Sequence, residues 1–302
     1  MPTAAHGFVD LHRHLDGSLR WNTVLELAHI IGLRVPEPLH FSAGMGLPAA
    51  LQRFAFTTSL LRKPAHLTRV AAEMCADAQN EGLEALEIRF APQILGLEWD
   101  VAIDAVLDGL SPQAGLIVCG LYGESPDVIE RLVSMVASRS RVVGVDLAGG
   151  PLASHRWQLK DYAEAFTRAG RLGLGVTIHA GEGRPSEEIR DAVLYLGAHR
   201  IGHGVSLMDD PATLELILKR DVIIEACPTS NLHTGAISSV AEHPIKTWLD
   251  VGVSVAVCTD NTLLSGIDLP TEIHTVQQAC GLSQNDIRTL RRMSCRARFR
   301  RR

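Results

Sequence analysis

Lysine is scarce in this chain. Four occur, Lys63, Lys160, Lys219 and Lys246, and none lies at the end of an apolar run that reads as a strand. There is no excess of one charge: 29 Lys plus Arg against 34 Asp plus Glu leaves a net charge of −5. That balance argues against nucleic acid or an anionic membrane surface as the main partner. Six cysteines are scattered at 75, 119, 227, 258, 280 and 295, with no Cys-x-x-Cys pair. A reducing, cytoplasmic setting without a disulfide framework follows as the expectation. No apolar run reaches the ~18 residues of a membrane span, and polar motif residues begin at Asp10, which leaves no room for a signal peptide.

The 302 residues are 46% hydrophobic and 21% charged, an ordinary globular balance that excludes a disordered chain. One local exception is the Arg-rich end, Arg291, Arg292, Arg296, Arg298, Arg300, Arg301 and Arg302, which reads as a frayed, solvated terminus. Eight short apolar runs recur, each followed by helical spacing: Gly7–His12, Ala85–Phe90, Gly115–Leu121, Arg141–Leu147, Leu174–His179, His199–His203, Asp221–Cys227 and Val253–Thr259. Runs such as Val222-Ile-Ile224 are apolar throughout, as strands buried on both faces are. Eight strand–helix alternations predict an α/β fold, a (β/α)8 TIM barrel. An open doubly wound sheet would want a Gly-rich first loop, where this chain has His12-Arg-His-Leu-Asp-Gly17. The whole chain, 1–302, reads as a single domain. About seventy residues separate strands one and two, and helical patterns at Leu19–Ile31 and Pro48–Leu61 predict a cap inserted at about 17–65. A third pattern, His66–Asn80, reads as the ordinary barrel helix.

The informative feature is where the histidines fall. His12 and His14 end strand one, His179 ends strand five, His203 ends strand six, and Asp260 with Asn261 follows strand eight. In a parallel barrel these ends share the face on which active sites are built. Residues two apart on a strand point the same way, so both imidazoles of His12-x-His14 can face the axis. With His179 and Asp260 they make an N/N/N/O set suited to one zinc ion, with iron as second choice. Two metals would need a bridging ligand, commonly a modified lysine at a strand end, and none is available. The His-x-Glu…Pro-Cys-x-x-Cys site of cytidine-type deaminases is also missing.

These residues resemble the adenosine deaminase family of the amidohydrolase superfamily. The resemblance is carried by Asp10-Leu-His-Arg-His-Leu-Asp-Gly-Ser18, Gly144-Val-Asp-Leu-Ala-Gly149, Thr177-Ile-His-Ala-Gly-Glu182, Arg200-Ile-Gly-His-Gly204, Glu225-Ala-Cys-Pro-Thr-Ser-Asn231 and Thr259-Asp-Asn261, in order from residue 10 to about 280. It implies that His12, His14, His179 and Asp260 are the ligands of one Zn²⁺. It implies that Glu182 protonates purine N1 while water attacks C6, and that His203 orients and helps deprotonate that water. Gly149 would meet ring N3 through its backbone N–H, and Asp16 would lie near the ribose hydroxyls. Glu225 and Ser230 would hold His203 and its loop.

The chain departs from the family pattern at three places. Asn261 stands where a second Asp is common; it could donate to purine N7 at any pH, or merely cap the next turn. Gly150-Pro151 stands where an Asp-Glu pair is common, and the Arg-rich end appears in place of a final helix. The expected reaction is hydrolytic deamination of a 6-aminopurine nucleoside, adenosine by default. Aminodeoxyfutalosine, free adenine and a cyclic amide remain alternatives, and the oligomeric state is open.

Overall fold

The computed structural model describes residues 5–152 and 154–301, so Arg302 of the basic tail lies outside the described residues. Eight strands follow in chain order: β1 (Val9–His14), β2 (Ala85–Phe90), β3 (Ala114–Leu121), β4 (Val142–Ala148), β5 (Gly175–Ala180), β6 (Arg200–His203), β7 (Ile223–Ala226) and β8 (Ser254–Val257). Every neighbouring pair is parallel, and the strand order is the chain order, giving the expected (β/α)8 barrel. The seam between β8 and β1 is bridged at Arg13–Asp260, where His14 N–H donates to the Asp260 carbonyl (2.7 Å) and Asp260 N–H to that of His12 (2.8 Å). Barrel closure thus coincides with the candidate metal ligands.

Helices α1 (Trp21–Ile31) and α2 (Leu47–Ser59) occupy the inserted region, and α3 (Pro64–Asn80) packs beside α4 (Trp99–Gly109). The outer layer continues with α5 (Pro126–Met135), α6 (Ala163–Arg171), α7 (Glu187–Tyr195) and α8 (Pro211–Arg220). Two short helices, α9 (Pro228–Thr234) and α11 (Thr262–Ser265), sit in the loops after β7 and β8, with α10 (Ile245–Asp250) and α12 (Leu269–Ala279) outside them. Among the described residues no helix is long and apolar enough to cross a membrane.

The C-terminus corrects two expectations. A final helix is present, α13 (Gln284–Ala297), started by a capping box between Ser283 and Asp286 and packed on β8 and β1. Nor is the following segment frayed. Arg301 donates to the carbonyls of Val136 (2.9 Å) and Arg139 (2.6 Å) just past α5, and Phe299 is tucked under the barrel against Gly144 and Gly175. Guanidinium groups satisfy the orphaned carbonyls at a helix C-terminus and complement its dipole, so an arginine tail need not be a solvated one.

Arg13 faces away from the two histidines that flank it, because successive residues of a strand point to opposite faces, and the register shift between Asp10 and Arg13 accompanies their pairing. It is buried, and pairs with Asp10 (2.9 Å) and with both oxygens of Glu81 (2.9 and 2.8 Å). Arg13→Ala would leave the buried Asp10 carboxylate without its cation, and we expect it to cost about 3–5 kcal/mol, read as a lowered urea midpoint.

Candidate active site

The strand ends bring His12, His14, His179 and Asp260 together. His14 Nε2 lies 3.3 Å from His179 Nε2 and 3.4 Å from Asp260 Oδ1, and His12 Nε2 lies 3.6 Å from the same oxygen. Gly202 makes room for this, since a Cβ there would sit 3.0 Å from the His12 ring. Two donor triads, His12–His14–Asp260 and His12–His179–His203, share His12 and so bracket one position.

Three observations test whether this set fits a metal. Neighbouring ligands about 2.0–2.2 Å from one zinc are separated by about 3–3.5 Å, close to the three spacings given above, and a fifth position is left for water. His12 Nε2 is buried and has no hydrogen-bond partner among the described residues. Its Nδ1 is committed to Glu225 Oε2 (2.7 Å), as His179 Nδ1 is to Asp146 (3.0 Å). Such anchors place the proton on Nδ1 and direct the Nε2 lone pair into the site. The third observation is charge. Arg89 and Arg200 share the barrel interior with Glu87, Asp146, Glu225 and Asp260, all buried. With Asp260 ionised, two cations against four carboxylates leave a deficit that a divalent ion would make good; burial, which raises Asp260 to about 7, otherwise opposes that ionisation. Burial and the neighbouring cations hold His12 and His14 well below their ordinary pKa, hence neutral and able to ligate.

Glu182, after β5, and His203, ending β6, face each other at 3.7 Å. His203 (φ 68°) and Asp260 (φ 61°) both adopt the left-handed region that non-glycine residues avoid. Such strain is held in place only where the surroundings fix it, commonly at functional sites. Burial pushes the His203 pKa down to about 4, so its ring is neutral. Burial also acts to raise Glu182, but His203 and the Thr234 hydroxyl (2.8 Å) outweigh it, and the carboxyl falls below its ordinary value. Burial alone therefore does not keep a proton on Glu182, contrary to what a resident general acid needs.

Glu225 and Ser230 are corrected. Neither holds His203: Glu225 carries His12, and Ser230 Oγ donates to Asp260 Oδ2 (2.6 Å). The partner of His203 is Asn231, whose amide lies 3.0 Å from Nδ1. The same amide nitrogen lies 3.5 Å from Glu182 Oε1, while Asn231 Oδ1 is buried without a partner among the described residues; with the amide rotated it would accept from Nδ1–H. Asn231 ends the Glu225–Asn231 motif, so its presence is visible in the sequence, while its role is not. Thr234, one turn later on α9, carried no sequence signal. Glu272 of α12 fastens the start of α9 by accepting from Thr229 N–H (2.8 Å).

Above these groups lies a cavity of about 150 Å³ with walls that include Phe41, Leu51, Phe54 and Leu121, and with Asp16, Gly149 and Asn261 in its lining. Asp16 Oδ1 is buried without a partner, and burial raises this carboxyl to about 6. Gly149 takes φ +77°, a glycine conformation. Asn261 begins α11, but its side chain makes no capping bond. Gly17 is needed beside it, because a Cβ there would lie 1.9 Å from Asn261 Oδ1. The departure at Gly150 also has a physical consequence: a Cβ there would meet Arg184 Nη1 at 2.2 Å, so the guanidinium occupies that space.

A family model for adenosine deaminase matches residues 8–301. The chain is 35% identical to the adenosine deaminase of Shewanella denitrificans, covering 94% of this chain and 91% of that protein. Its structure is similar to that of the Arabidopsis N6-mAMP deaminase (TM-score 0.87, 25% identity, 98% of this chain and 94% of that one). A zinc-bound amidohydrolase from Burkholderia ambifaria is similar in fold (TM-score 0.87, 22% identity, 98% and 86%).

Glu225→Gln should lower divalent-ion affinity about 10–100-fold, the usual effect of removing a carboxylate behind a ligating histidine. Competition with a chelating dye measures it.

Proposed function

The chain belongs to the adenosine deaminase family and is a hydrolytic deaminase, and on that premise we propose that its substrate is an uncharged 6-aminopurine nucleoside, adenosine by default. We assign His12, His14, His179 and Asp260 as ligands of one zinc ion. Bound there, zinc would lower the pKa of water toward 7 and so supply a nucleophile at neutral pH. Neutral His203 then takes the proton that the attacking water loses as its oxygen bonds to C6. Glu182 delivers a proton to N1, where electron density collects, after first acquiring one, since in the resting site it is ionised. The proton held by His203 passes to the amine, which leaves C6 as ammonia, and the hydroxyl proton on C6 returns to Glu182, so that the 6-oxo purine remains. Asp16, Gly149 and Asn261 are assigned to ribose, N3 and N7 respectively.

The observation that carries this reading is Glu182 beside His203, next to His12, His14, His179 and Asp260. Cleavage of a cyclic amide does not call for an acid aimed at a ring nitrogen. The choice of an uncharged substrate rests on the lining: none of its described residues is Lys or Arg, and its charged members include Asp16, Glu182 and Asp260. A phosphorylated substrate would face carboxylates without a cation. Free adenine is the second reading, favoured by the small cavity of about 150 Å³. The six cysteines are all free, which fits the cytoplasmic location inferred from sequence.

Following ammonia release and the ultraviolet change with adenosine, adenine and AMP tests the proposal. Adenosine should exceed both others in kcat/KM by at least about a hundredfold. AMP as the best substrate would overturn the charge argument, and adenine as the best would select the second reading. Glu182→Gln should lower kcat about 10²–10⁴-fold with the metal still bound.

A further inference from the structure

We infer that the C-terminal segment Arg298–Arg301 positions a metal ligand from the opposite end of the barrel, acting through Arg200 and Glu225 on His12. The inference rests on the assignment of His12 as a ligand. Its physical basis is an unbroken set of contacts along the barrel axis. The Phe299 ring lies flat under the Arg200 guanidinium, with 3.5 Å from Cζ to the ring centroid. Arg200 Nε is 2.7 Å from Glu225 Oε1, and Glu225 Oε2 is 2.7 Å from His12 Nδ1. Two residues, and three contacts, therefore separate the ring from the histidine.

The tail holds Arg200 on more than one side. Arg200 Nη1 donates to the Ala297 carbonyl (3.0 Å) and Nη2 to Glu87 Oε2 (2.6 Å). The other oxygen of Glu87 accepts the Phe299 backbone N–H (2.6 Å). Space for the ring is built into the strands. A Cβ on Gly175 would lie 2.3 Å from it, and one on Gly144 2.8 Å. The segment is anchored by Arg298, which donates to the Gln113 carbonyl (2.9 Å), and by Arg301 under α5.

The ring does two things at that position. Its face attracts the guanidinium, and its bulk keeps water from the base of the barrel, so that Arg200 and Glu225 interact in a low-dielectric interior. A fixed Glu225 in turn fixes the tautomer and direction of His12. Without the ring, water reaches Arg200, and the carboxylate behind His12 is held by one neighbour fewer.

The test uses the full chain, Zn²⁺ competed with a chelating dye, and melting of the metal-free protein. Phe299→Leu keeps bulk and removes the ring face; it should weaken zinc about three- to tenfold, less than a direct partner of His12 would, with little change in apoprotein Tm. Phe299→Tyr keeps the face and should bind as the natural chain does. Arg200→Lys keeps the charge but not the fork that joins Glu87 and Glu225; it should lose affinity similarly, and it serves if the leucine variant does not fold. In a Glu225→Gln background, Phe299→Leu should have no further effect, because the two act in series. The inference is overturned if Phe299→Leu lowers Tm and leaves zinc affinity unchanged, or if the effects of Glu225→Gln and Phe299→Leu simply add. Unchanged zinc affinity in Glu225→Gln alone would instead remove His12 from the ligand set and overturn the underlying assignment.

Discussion

One buried carboxylate organises this barrel. Glu225 is buried in the barrel interior, accepts from His12, Arg89 and the Thr177 hydroxyl (2.9 Å), and is ion-paired with Arg200 (2.7 Å). These partners come from β1, β2, β6 and β5, so a single side chain of β7 reads the relative height of four other strands. A one-residue slip in any of them would turn its donor out of the interior. Taking several charges out of water is expensive, and a buried ion pair is weak evidence of net stability. What the network provides is a fixed direction for the His12 ring, with a shortage of positive charge beside it.

The same economy of position governs the upper face. Asp260 closes the β8–β1 seam with its backbone while its carboxylate faces the histidines, and it does so in a left-handed conformation. His203 takes the same conformation at the end of β6 and leans on Asn231. Gly17, Gly149 and Gly202 are the points where a side chain would block the site or be strained. Preorganisation is thus spread over several strand ends, as a reaction that attacks C6 and moves electron density onto N1 requires.

How much of this was readable in the sequence depends on the range of the interaction. The strands and the cap helices declare themselves through local apolar patterning, and six motifs in order place the site on the strand ends. Side-chain partners across the barrel carry no local pattern, so Glu225 and Ser230 were expected on His203, where the structure has Asn231. The proton affinity of Glu182 depends on Thr234 and His203, which no spacing near Glu182 reveals. The arginine tail was misread for another reason. Charge density suggests solvent, but guanidinium groups also suit buried carbonyls and aromatic faces, and here they fold the chain end under the barrel.

The central claim is that four side chains from β1, β5 and the loop after β8 complete their charge with a single divalent ion. Elemental analysis of the purified full chain, with and without the His179→Ala substitution, tests it most directly. The account predicts one zinc per natural chain and a large loss in the variant. Two metals per chain, or deamination that persists in metal-free protein, would contradict it.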